Sequence, residues 1–137
     1  MKKIFILLFV LNLITSCKIN QKQNGLRHGK WVTKTENENE NFKYIERYKN
    51  GEEVKTWKTF KNKKLYKKET HIKNICHISY YNENKKIESK GKSRYDKNSE
   101  TAHWYYFGDW NFYNTDGRLT MTRKYENGVL QSEIKFE

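Results

Sequence analysis

Two cysteines, four histidines and a scatter of serines and aspartates are the side chains here that could do covalent or metal chemistry. The histidines are His28, His71, His77 and His103, and no Cys-x-x-Cys, His-Glu-x-x-His or calcium-loop spacing accompanies them. His71 and His77 share strand parity, but a turn near Asn74 is expected to separate them. The pattern therefore predicts no metal and no cofactor. Ser79 and Ser89 lack a motif that would activate a nucleophile. Asp96, Asp109 and Asp116 read as turn residues, the last directly before Gly117. No glycine-rich phosphate cradle follows a strand and opens a helix. Nothing points to a carboxylate pair for glycoside chemistry. Cys76, in the strand-like run 75–80, is expected to be a small buried hydrophobe, with an intermolecular disulfide as the alternative.

Cys17 is the residue with a chemical role written into its surroundings. Lys2 and Lys3 precede an apolar run at 4–13, broken only by Asn12, and Ile14-Thr15-Ser16-Cys17 follows. That layout predicts a secretory signal, too short for an ordinary membrane span. A branched apolar residue three before a cysteine, followed by two small residues, resembles the bacterial lipobox. The resemblance implies that the Cys17 thiol receives a diacylglyceryl group, that cleavage removes residues 1–16, and that fatty acyl chains such as palmitate hold the protein to a membrane of the cell envelope. The other reading is an ordinary signal peptide with an accidental cysteine. With Cys17 lipidated, Cys76 has no intramolecular partner and no disulfide framework forms.

The formal charge is +12, and removing Lys2 and Lys3 leaves +10. A basic balance usually suggests nucleic acid, but export argues against that partner. Anionic lipid, glycan or an acidic protein are the expected counter-surfaces. The competing reading is that the lysines only solvate sheet faces and protect edges. Residues 18–20 and Gln21 just after Cys17 carry no acidic residue; acidic residues there accompany surface display in similar lipoproteins, so the resemblance implies a periplasmic location.

The elements that must position these residues are strands. There is no proline, helical periodicity is absent, and short alternating runs are frequent. Residues 17–24 are expected to be the lipidated cysteine and a polar tether, and 36–41 a solvated loop. Tyr48-Lys49-Asn50-Gly51 is echoed by Phe60-Lys61-Asn62-Lys63, Tyr81-Asn82-Glu83-Asn84, Tyr113-Asn114-Thr115-Asp116-Gly117 and Tyr125-Glu126-Asn127-Gly128. Gly29-Lys30-Trp31 and Gly108-Asp109-Trp110 open two units, and Lys55-Thr56-Trp57 has the tryptophan without the glycine. Self-similarity at a short period marks an array of hairpins. These residues resemble MORN-type repeats of the variant found in bacterial envelope lipoproteins and in an antitoxin-like group. The resemblance covers residues 25–137, with Lys55 and Lys63 in place of expected glycines and a poor fit over 82–107. It implies a meander of β-hairpins used for binding or spacing.

Asn127-Gly128 is the strongest hairpin signal. A two-residue loop there would oppose Tyr125 to Leu130, Arg123 to Ser132 and Met121 to Ile134, giving strands 119–125 and 129–136 one apolar face. Asp116-Gly117 opposes Phe112 to Met121 and Trp110 to Arg123. Asn50-Gly51 opposes Tyr44 to Trp57 and Glu46 to Lys55.

The fold class expected is all-β: an antiparallel meander of about eight to ten strands, curved or partly rolled. The run His103-Trp104-Tyr105-Tyr106-Phe107 could be core, or could bind glycans or peptides by stacking and cation–π contact. Trp104, Tyr105, Tyr106 and Trp110 are the candidate contact surface. The expected function is a non-catalytic, lipid-anchored interaction module of the envelope. An immunity or antitoxin-like protein that blocks a toxin there is the alternative, and a small envelope hydrolase ranks third.

Overall fold

A computed structural model describes residues 18–97 and 103–137, so the apolar leader and Cys17 lie outside the described residues. Eleven strands form one sheet: β1 (Gln21–Gln23), β2 (Leu26–Glu36), β3 (Asn41–Lys49), β4 (Glu52–Glu53), β5 (Lys55–Lys61), β6 (Lys64–Ile72), β7 (Ile75–Tyr81), β8 (Ile87–Asp96), β9 (His103–Tyr113), β10 (Leu119–Glu126) and β11 (Val129–Lys135). The strands run in chain order, with β4 hooked onto β3, and every strand pairing is antiparallel. The sheet stays open, with β1 and β11 as its edges. The expected all-β meander is what the chain forms, with one strand more than the upper expectation.

The repeat pattern has a backbone cause. Asn50-Gly51, Asn62-Lys63 and Asn127-Gly128 each place two successive residues at positive φ, the geometry whose twist matches the flanking strands. Lys63 holds φ 67° and Lys55 holds φ 61°, so lysine adopts the left-handed conformation where the repeat expects glycine. The Gly-x-Trp units explain why. Gly29, Lys55 and Gly108 are all at positive φ, and the tryptophan two residues on caps a carbonyl with its indole N–H. Trp31 donates to the Gln21 carbonyl at 3.1 Å, Trp57 to that of Arg47 at 2.9 Å, and Trp110 to that of Lys92 at 3.1 Å.

Part of the expected tether is sheet, at Gln21–Gln23. Asn24 and Gly25, at φ 52° and 77°, turn β1 back onto β2. Asn20 adds two bonds to Val32, its Nδ2 donating to the carbonyl at 3.0 Å and its Oδ1 accepting from the N–H at 2.6 Å. The loop expected at 36–41 is a tight connection in which Asn37 Oδ1 accepts the N–H groups of Asn39 and Glu40.

Two predicted registers need correction. The Asn127-Gly128 hairpin forms, with Tyr125 opposite Leu130, but Met121 faces Lys135 and not Ile134, and Arg123 faces Glu133 and not Ser132. The register shifts between Lys124 and Tyr125, because Gln131 is an extra residue on β11. At Asn50-Gly51 the near pair is Tyr48 with Glu53, but Tyr44 then faces Thr59 in place of Trp57. Val54 bonds back to the Arg47 carbonyl and Lys55 turns at positive φ, which inserts two residues. A two-residue slip leaves every side chain on its expected face. The Asp116-Gly117 register is as expected, Phe112 facing Met121 and Trp110 facing Arg123.

One face is the core. It buries Tyr48, Cys76, Ile78 and Trp110 with Thr59, His71, Ser89 and Ser93. Trp110 lies flat on Gly91, where an added Cβ would fall 2.2 Å from its ring. The sheet must curl around this face. His71 on β6 and Trp104 on β9 are three strands apart, which in a flat sheet means roughly 14 Å between backbones. Their rings are nevertheless 5.5 Å apart, and Lys97 reaches Glu52 at 3.3 Å.

Candidate functional site

The concave face carries a buried polar line. Pairing of His71 with Cys76 across β6 and β7 puts both side chains inward, while His77 on the same β7 strand points outward and is exposed. Cys76 Sγ lies 3.8 Å from His71 Nε2, and His71 Nδ1 lies 3.5 Å from a Glu53 carboxylate oxygen. That last contact lacks hydrogen-bond geometry, so Nδ1 is left without a protein partner. Trp57 lies tilted against the imidazole with ring centroids 4.6 Å apart, and Trp104 meets it edge-on.

A thiol, an imidazole and a carboxylate in line have the outline of a nucleophilic triad. The electrostatics run the other way. Burial pushes the Cys76 thiol up to about 12, with Glu69 and Glu53 adding to it. Burial also lowers the His71 value, against a smaller pull from Glu69, and raises that of Glu53, where the Glu69 charge adds. Cys76 is 1% exposed. The sulfur is a protonated thiol with no path to a substrate, and the imidazole is neutral. Beside this line a cleft of about 610 Å³ opens between Glu52, Glu53, Lys73, Tyr95, Lys97 and Trp104. Among the described residues no group of three or more His, Cys, Asp or Glu could hold a metal ion.

Several charges on the concave face are partnered. Arg27 donates to the Tyr48 hydroxyl at 2.8 Å, which donates to Glu46. Lys67 meets Glu69 at 3.0 Å and Arg123 meets Glu133 at 2.7 Å.

The convex face is built differently. Its cations oppose one another across strands: Lys30 faces Arg47, Lys34 faces Lys43, and Lys58 faces Lys68. The row continues through Ser79 and Lys90 to Asn111 and Thr122, with no acidic residue in it. The adjacent row holds Thr70, His77, Lys92 and Phe107. Directly opposed like charges destabilise a sheet, yet among the described residues Arg47, Lys58, Lys68, Lys90, Lys92 and Arg94 make no ion pair. Several rest on aromatic rings instead. Lys92 and Arg94 lie over Phe107 at 5.2 and 4.5 Å, and Lys90 over Tyr113 at 5.4 Å. Asp109, opposite Lys124, lies towards the β10 margin.

The aromatic residues expected to form one contact surface are divided between the two faces. Trp104, Tyr106 and Trp110 belong to the concave side: Trp104 packs on His71, and Tyr106 on Trp110 at 4.2 Å. Trp110, at 3% exposure, is core. Tyr105 faces outward opposite Arg94. Sequence reasoning missed the His71–Cys76 pair, whose signal was the short turn near Asn74. It also left the lysines unassigned to a side, since over 55–61 lysine and aromatic residues occur at both parities.

No family model matches this chain, and neither a curated protein nor a solved structure is significantly similar to it.

Proposed function

We propose that the protein is a lipid-anchored lipoprotein of the bacterial envelope, periplasm-facing, that works as a non-catalytic interaction module through the convex face of its sheet. The observation that carries this reading is the array of opposed, unpaired cations on that face. Such rows cost stability in the free protein and lose that cost against an anionic surface. The lysine–aromatic pairs on β8 and β9 support recognition over mere solubility, since they hold the charged groups in fixed positions. The high thiol pKa and burial of Cys76 support a role without turnover.

The anchor rests on the residues around Cys17. Only Lys18, Ile19 and Asn20 stand between that cysteine and β1. An extended peptide of that length reaches roughly 14 Å at most. A Cys17 acylated with two chains would therefore hold the sheet close to the headgroups, within about two Debye lengths at physiological salt.

The test is fractionation with a high-salt wash. The wild-type protein is expected to stay with membranes, whereas Cys17→Ala is released or remains an uncleaved precursor. A variant that is processed normally and still resists the wash overturns the anchor. Capture of one cognate protein, insensitive to salt, would favour the immunity-like alternative over an anionic surface.

A further inference from the structure

The two edges of the sheet are unlike. β1 has three residues, all polar. β11 has seven, is exposed along its whole length, and is followed by Phe136. Ile134 is 56% exposed and Phe136 43%. A long free edge offers unpaired backbone groups to another strand.

The register says which groups are free. Phe136 donates its N–H to the Thr120 carbonyl at 2.8 Å, so this residue's backbone points into the sheet. Alternation along the strand turns Ile134 and Ser132 inward as well, and leaves the N–H and C=O of Glu133 and Lys135 pointing outward. Gln131 is the bulged residue, so the regular free edge begins after it.

We propose that β11 pairs with β11 of a second copy, antiparallel about a two-fold axis through Ile134, making one continuous sheet from two chains. Three features select this occupant and register. First, outward backbone groups must meet outward groups, and this axis sets Glu133 against Lys135 of the other copy, twice, with four backbone hydrogen bonds between them. Second, it crosses opposite charges. An axis through Glu133 would also match the outward groups, but would oppose two carboxylates. Third, it sets Ile134 against its own symmetry mate and brings both Phe136 rings beside Ser132 of the other chain, covering apolar side chains that are about half exposed in the single chain. Pairing of β11 with β1 would match only three polar residues and leave the apolar ones exposed.

Site-directed disulfide formation reads this register directly. Facing residues in a non-hydrogen-bonded pair have Cα atoms about 4.5 Å apart, within disulfide reach. Cys76 is buried and does not compete. In the full chain in its own membranes, Ile134→Cys is expected to give a covalent dimer under a mild oxidant. Val129→Cys, 61% exposed but outside the paired run, is expected to stay monomeric. Adding Lys135→Glu to the Ile134→Cys chain should lower the dimer yield several-fold, and exchanging both charges (Glu133→Lys with Lys135→Glu) should recover it. Equal yields at 129 and 134 would reveal random collision and overturn the pairing. So would a heterologous adduct at 134 in place of the dimer, or failure of any cross-link there.

Discussion

The two faces of this sheet share one backbone and one alternation, yet they handle charge in opposite ways. Inward, Arg27, Lys67 and Arg123 each have a carboxylate or hydroxyl beside them, and the tryptophans end on backbone carbonyls. Outward, lysine faces lysine and arginine across the strands, while cations lie over aromatic rings on both faces. The contrast locates the source of the folding energy. A single curled layer buries few residues, so the concave aromatics must supply most of it, at roughly 3 kcal/mol for a fully buried large side chain. The convex face contributes little and is free to be shaped by what it meets.

Emptying the concave side is the severest challenge to that division. Trp110→Ala removes a ring seated on Gly91 together with its bond to the Lys92 carbonyl. The expected loss is about 3–5 kcal/mol in a urea melt. A loss below about 1 kcal/mol would mean that the aromatic face is not the core.

A smaller effect should come from pH. His71 has a folded pKa below its ordinary value of 6.5, mainly through burial. Its neutral form fits the fold, so the unfolded chain binds more protons just below that value. Stability contributed by His71 is full above 6.5 and declines as the pH falls from there towards the folded pKa. Glu53 acts in the opposite sense: its raised value makes its contribution fall as pH rises past 4.5. In melts between pH 7 and pH 5 the wild type should therefore lose stability relative to His71→Gln, which lacks the histidine's contribution to the slope. An unchanged slope would place the titration elsewhere.

The smallest effect belongs to the convex side. Lys68→Glu turns the Lys58 opposition into an ion pair, so stability should rise by about 0.2–1 kcal/mol. Adsorption to phosphatidylglycerol vesicles should weaken at the same time. If stability falls, or adsorption strengthens, the face is not an anion-binding surface.

The sequence carried strand identity well and registry less well, and sidedness failed at β11, where the one-residue slip puts Glu133 and Lys135 on the Met121 face and Ile134 on the other, against the single apolar face expected. Asn50-Gly51, Asp116-Gly117 and Asn127-Gly128 all mark true turns. Pairing beyond them depended on residues without a turn signature. Val54 and Lys55 add two residues after one turn, and Gln131 adds one after another. Backbone hydrogen bonding decides where such extra residues go, and side-chain alternation does not register it. Asn24-Gly25 bore the same hairpin signature, but the short polar run before it looked like tether. The aromatic run at 103–107 was noticeable as a cluster. Alternation then split it between the faces, which no composition count could weigh. The His71–Cys76 contact needed the register of β6 with β7 before it could be seen.

Because each strand pairs with its neighbours in the chain, no segment has to be threaded past another. Contacts are local, and a topology of that kind folds quickly for a β protein. It also folds in any direction, since each finished hairpin is the template on which the next is laid. A lineage could then gain or lose a hairpin at any turn without redrawing the rest. The size of such a molecule is closer to the length of a ribbon than to the capacity of a core, and relatives longer or shorter by a hairpin would keep the same two-sided cloth.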